Sequence, residues 1–176
     1  HSLFARAGFC PPASSDSLAG LVPAPGERVG MIGLFRPLVR RIAETGAKLT
    51  VLELRADLAG EHDGVCVTLD PAALADCRQV LSTSTVLLND TLDKVLAACR
   101  SAEVFVMVGP SAGCLPDPLF ARGVTAIGGT WVHAREAFVE AFCSGASWSA
   151  HADKVVLPAV GYPGFAALLE RARSAR

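Results

Sequence analysis

The sequence predicts an α/β fold: a Rossmann-like, doubly wound and mainly parallel sheet of about five strands with helices on both faces. Three observations carry this. Short runs such as R-V-G-M-I-G (Arg28–Gly33) and E-V-F-V-M-V (Glu103–Val108) are apolar throughout, as strands buried on both faces must be. Amphipathic segments with cap and stop residues separate these runs. Right-handed crossovers then make the doubly wound sheet the economical arrangement of such a series.

Residues 1–25 read as a lead-in, rich in proline (Pro11, Pro12, Pro23, Pro25) and serine, in which only Ser17–Val22 suggests a short helical turn. Residues 26–176 form the Rossmann-like domain. Arg28–Gly33 is the first strand. Pro37–Thr45 is a helix with proline at a tolerated early position and Gly46 just past its end. Lys48–Leu54 is the second strand, and Val65–Leu69 is an ambiguous segment that pairs at an edge if it pairs at all. Asp70 N-caps a short helix at Pro71–Cys77. Gln79–Thr83 is the third strand, and Asn89 or Asp90 caps a helix running to Arg100. Glu103–Val108 is the fourth strand, Asp117–Arg122 a helical turn and Val124–Ile127 the fifth strand. His133–Cys143 is helical, Lys154–Leu157 a short edge strand, and Pro163–Arg173 the closing helix.

Composition excludes several classes of function. The 176 residues are 51% hydrophobic with a mean hydropathy of +0.40, which is incompatible with intrinsic disorder. Sixteen basic against seventeen acidic residues leave a net charge of −1 and no basic stripe, so no nucleic-acid partner is expected. No apolar window approaches the ~18 residues of a membrane span. The first ten residues lack the basic-then-apolar pattern of a secretory signal, and a cytoplasmic location is the expectation. Cys10, Cys66, Cys77, Cys99, Cys114 and Cys143 show no C-x-x-C spacing, which favours reduced, mostly structural thiols.

Ligands of open parallel sheets bind beyond the carboxyl ends of the strands, so the loops there hold the candidate residues. Gly33 permits close backbone approach, and the helix that follows offers N–H groups to an anion; tight strand–helix packing explains the glycine equally well. Glu53 stands 20 residues further on, where nucleotide-binding units place a ribose carboxylate, although G-x-G-x-x-G is missing. A cap or ion-pair partner is the alternative for Glu53. Gly109, Pro110 and Ser111 read as a nest of donors with a hydroxyl at the sheet edge, or as an ordinary tight turn. Asn89 and Thr91 line the same edge or simply cap a helix. Gly129, in a Gly-Gly loop, offers contact with a ligand or clearance between loops. The metal-ligand candidates are Cys114, an exposed loop thiol, and His133, at a helix start; the four histidines show no H-x-x-x-H spacing. No G-x-S-x-G elbow or serine–base pair identifies a catalytic nucleophile.

Taken in order, V-G-M-I-G-L-F-R-P-L-V (Val29–Val39), L-T-V-L-E-L-R (Leu49–Arg55), L-N-D-T-L-D (Leu88–Asp93), V-G-P-S (Val108–Ser111) and R-G-V-T-A-I-G-G (Arg122–Gly129) resemble the Rossmann-like domain of the family named "putative heavy-metal chelation". The resemblance spans roughly Gly26 to Lys154. It implies a ligand site shared with an enolase-N-terminal-like domain, of which residues 1–25 would be at most a remnant; the expectation is then a fragment of a two-domain protein, a missing half supplied by a separate subunit of that type or by a homo-oligomer, or a different site. Asp90 stands where the family has a small residue, usually glycine, and so adds charge to the pocket or blocks it.

Three functions follow as expectations. The first is a ligand-binding domain taking a heavy-metal ion, a metal complex or a nucleotide-like molecule, with Gly33, Glu53, Asn89, Thr91, Gly109, Pro110, Ser111 and Gly129 around it. The second is an enzyme using S-adenosylmethionine or NAD on a chelator. The third is a non-catalytic interaction module.

Overall fold

The computed structural model of the protein describes residues 2–16, 18–62 and 65–175. Its centre is one eight-stranded sheet. The strands are β1 (Arg28–Ile32), β2 (Lys48–Leu52), β3 (Gly60–His62), β4 (Val65–Thr68), β5 (Gln79–Thr83), β6 (Val104–Val108), β7 (Ala126–Val132) and β8 (Ala152–Pro158). They lie in the order β3-β4-β2-β1-β5-β6-β7-β8, with β3 and β8 antiparallel to their neighbours and the rest parallel. Among the six parallel strands the order is that of a Rossmann sheet, and the direction of winding reverses between β1 and β5.

Alternating side chains build a core on each face. Ile32, Val80, Phe105, Met107 and Ile127 point to one side. There they meet Val95 of α3 (Leu92–Ala98), Leu119 of α4 (Asp117–Phe120) and Leu168 of α6 (Phe165–Ser174). Val29, Met31, Val51, Leu81 and Val106 point to the other, against Ile42 of α2 (Arg36–Ala43) and against Leu18 and Leu21. Complete burial of such side chains contributes roughly 1.5–3 kcal/mol each, which is why this pattern dictates the fold.

Several expectations change in detail. The sheet has eight strands where the sequence suggests about five. Val65–Leu69 becomes β4, which pairs with β2 inside the sheet, while the edge is the three-residue β3, too short to show periodicity. Gly128 and Gly129 are strand residues and not a loop: β7 runs on past Ile127, and pairing with Val156 and Val155 of β8 outweighs the poor strand propensity of glycine. The lead-in is not featureless, since α1 (Ser2–Arg6) buries Phe4 beside the rings of Phe9, Trp131 and Tyr162. Ala13 bridges Val155 and so covers part of the outer edge of β8. Leu18–Gly20 forms a turn, while Ser17, where the predicted helical turn begins, lies outside the described residues. The helix predicted from His133 is α5 (Arg135–Ser144).

All six cysteines are free thiols; Cys77 and Cys99 sit in the core, and the other four are exposed. Burial pushes the Cys99 thiol up to about 12, so it stays protonated and behaves as a small apolar side chain. Asp117 holds α6 at its start. Its carboxylate accepts the Phe165 N–H and the Tyr162 hydroxyl, both at 2.8 Å. Partial desolvation works against ionisation of Asp117, yet these hydrogen bonds prevail and hold its carboxyl below the usual carboxylate range. No helix among the described residues is long and apolar enough to cross a membrane.

Candidate functional site

A crevice of about 320 Å³ opens at the carboxyl ends of β2, β1 and β5, where the strand order reverses. Its position follows from the winding. Chain leaving β1 crosses toward β2 and chain leaving β5 crosses toward β6, so nothing fills the space between. Most of its wall is apolar, from Ile32, Leu34, Phe35, Leu52, Val86 and Val95. A few polar groups converge on it, as in small-molecule sites generally. Of the eight ligand-binding candidates, Gly33, Glu53, Asn89 and Thr91 line this crevice. Gly109, Pro110, Ser111 and Gly129 do not.

Gly33 ends β1 with φ +85°, and a Cβ there would lie 3.1 Å from Thr83 Cγ2. Most of the turn beyond it is internally satisfied. Gly33 N–H donates to Leu52 O (2.9 Å), Leu34 N–H to Glu53 Oε2 (3.0 Å) and Phe35 N–H to Gly33 O (3.1 Å). Pro37 has no N–H to give. Of the expected anion cradle only the Arg36 N–H is left over, and the rest is spent on the chain itself. Glu53 is a brace rather than an ion-pair partner: Oε2 takes Leu34 N–H and Oε1 takes Leu54 N–H at 2.8 Å. Each oxygen keeps a second lone pair for a ligand donor.

Across the switch point, β5 runs into a 3₁₀ turn at Ser84–Leu87, whose first free N–H, that of Thr85, is taken by Thr83 Oγ1 at 3.2 Å. The N-cap of α3 is Thr91, not Asn89 or Asp90, and no side chain caps it. Asn89 and Thr91 bond to each other at 2.6 Å. With its amide nitrogen turned toward the chain, Asn89 also donates to the Thr85 and Val86 carbonyls at 3.3 Å each. Asp90 is exposed, is not among the crevice residues, and takes φ +56°. A left-handed position explains why a glycine is expected there, and the carboxylate is not part of the crevice lining.

The loop after β6 is closed. Gly109 N–H donates to Gly128 O at 3.2 Å, Pro110 has none, and the N–H groups of Ala112 and Gly113 complete a 3₁₀ turn onto Gly109 and Pro110. This tight turn replaces the expected donor nest. The two metal-ligand candidates stand apart from the crevice. Cys114 is exposed in the loop before α4, and His133 Nε2 lies 3.8 Å from Asp153 Oδ2 beyond β7. Among the described residues no group of three or more His, Cys, Asp and Glu side chains is placed to hold a metal ion.

Sequence reasoning missed Lys94, which lines the crevice together with Thr83 and Thr85 from the end of β5 and the turn after it. Lys94 had a signal: it is one of only three lysines and lies three residues past Thr91, hence on the same helical face. A larger apolar groove, about 410 Å³, runs beneath Pro12–Ser14 toward the amino ends of β6 and β7, and none of the predicted site residues reaches it.

Strand order and crevice together define a Rossmann-like α/β domain with an open switch point. The family model described as "Putative heavy-metal chelation" matches residues 18–160, and the chain belongs to that family. An uncharacterized protein of Methanocaldococcus jannaschii is 40% identical over 105 residues, which are 59% of this chain and 40% of that protein. Two crystal structures of family members of unknown function share the fold. That from Pyrococcus horikoshii has a TM-score of 0.68 at 21% identity, covering 83% of this chain and 60% of its own. That from Desulfitobacterium hafniense has a TM-score of 0.62 at 22% identity, covering 77% and 54%. The chain thus spans less than two thirds of the length of each of these relatives.

Proposed function

We propose that the switch-point crevice binds a small organic molecule or its metal complex, and that this is the chain's part in heavy-metal chelation. The observation that carries the reading is the convergence of Gly33, Glu53, Asn89 and Thr91 on one largely apolar cavity. A bare ion would need several protein ligands. An organic chelator brings its own donors and needs only an apolar wall and a few orienting groups. Exposed Leu54 and Leu69 on the rim suit closure by a partner surface, such as an enolase-N-terminal-like unit or a second copy of this chain. Six free thiols suit a cytoplasmic site of action.

The second reading is an enzyme using a nucleotide-like cofactor, favoured by the place of Glu53 at the end of β2. The spent amides of Gly33, Leu34 and Phe35 leave a pyrophosphate without its usual donors, which sets NAD behind S-adenosylmethionine, a ligand with no phosphate. Thermal melts with nickel, zinc or cobalt ions alone, with the same ions as organic chelates, and with NAD or S-adenosylmethionine separate the readings. Chelates at ~100 times their dissociation constant should add about 2.7 kcal/mol. Thr85→Tyr, which fills the crevice from an exposed position, should abolish that gain. Stabilisation by bare ions alone would overturn the reading, and stabilisation by S-adenosylmethionine alone would replace it with the second.

A further inference from the structure

We propose that the crevice selects an amino carboxylate: a ligand with an amine at one end, a carboxylate at the other and an apolar stretch between. The inference rests on the crevice reading above and specifies its ligand. Among the described residues Lys94 is the one cationic side chain lining the crevice, and no carboxylate lies within ion-pair distance of it. Glu53 is the one anionic side chain there among the described residues. The two stand on opposite sides of the switch point, since Glu53 follows β2, Lys94 sits in the helix after β5, and β1 lies between those strands. Two strand spacings separate their elements, roughly 10 Å at the level of the sheet.

Each charge is suited to a different end of one molecule. The Glu53 carboxylate is held in place by Leu34 N–H and Leu54 N–H and has lone pairs left for an ammonium. Lys94, on a flexible stem, supplies three donors to a carboxylate. Ile32, Leu52 and Val86 offer the middle of the ligand no polar partner, which favours methylenes or a ring.

Calorimetry of the full chain with four simple probes at neutral pH tests the assignment: ε-aminocaproate, hexylamine, hexanoate and hexamethylenediamine. The wild type should bind ε-aminocaproate about fivefold more tightly than either hexylamine or hexanoate, the scale of one partly exposed ion pair. Lys94→Gln should erase the advantage over hexylamine and keep that over hexanoate. Lys94→Glu should prefer hexamethylenediamine to ε-aminocaproate. Lys94 is exposed, so neither change should disturb folding, which circular dichroism checks. Equal binding of all four probes, or an unchanged order in Lys94→Gln, overturns the charge pairing and leaves the crevice reading standing. If no probe binds while chelates or S-adenosylmethionine still stabilise the protein, the amino-carboxylate assignment alone falls; if nothing binds, both fall.

Discussion

Gly33 ends β1 and Gly109 ends β6, one strand apart from β5 on either side, and both take φ angles that favour glycine, +85° and +133°. What surrounds them differs. The turn after Gly33 is braced from outside by Glu53 and borders open space, because the chain winds away from it in both directions. The turn after Gly109 folds onto itself, and a Cβ at Gly109 would stand only 2.4 Å from the buried Ser84 Oγ. A glycine at a strand end is therefore ambiguous by itself. One marks the edge of a cavity and the other marks its absence, and the winding of the sheet decides which.

The sharpest way to break this contrast is Gly109→Ala. Added strain at a positive φ and the overlap with Ser84 should together cost about 3 kcal/mol in urea unfolding. Gly109→Ala combined with Ser84→Ala should recover about 1 kcal/mol, the share due to the hydroxyl, and leave the backbone strain unrelieved. A cost near zero for the single variant would mean that the loop after β6 yields, and that its closed form is no fixed property of the fold.

Glu53→Ala probes the open side with a smaller effect. Two N–H groups lose a charged acceptor in a half-buried place, at a cost of about 1.5 kcal/mol. The Leu34 amide should exchange with solvent measurably faster by NMR, while the amide of Gly109, bonded to Gly128, should not change. Equal acceleration at both would show that the two turns share one support.

The fold was readable in the sequence because its causes are local. The apolar runs of β1, β2, β5 and β6 can be buried only on both faces, and each is bounded by residues that stop a strand or start a helix. The edge strand β8 was legible at Lys154–Leu157, and three other features were harder to see for physical reasons. β3 is three residues long, β4 carries exposed Cys66 between buried Val65 and Val67, and the extension of β7 passes through two glycines held by pairing with β8. The site was half legible. Glu53 and Gly33 announce themselves by position relative to the strands. The failure of Gly109–Ser111 to join them depends on Ser84 and Gly128, which lie far off in sequence and meet only when the sheet forms.

Asp90 gives the smallest and most specific test. It sits on the loop that feeds the crevice, and its left-handed backbone is one that glycine, the residue expected there from the resemblance, adopts without strain. Aspartate tolerates φ +56° better than most residues, so the strain is modest, and Asp90→Gly should stabilise the chain by about 0.5 kcal/mol while Asp90→Ala should destabilise it slightly. Because Asp90 is exposed and does not line the crevice, both variants should bind crevice ligands as the wild type does. A change in ligand affinity with stability unchanged would mean that the carboxylate acts on the crevice after all. The aspartate would then bear on the choice of ligand and not only on the strain of the backbone.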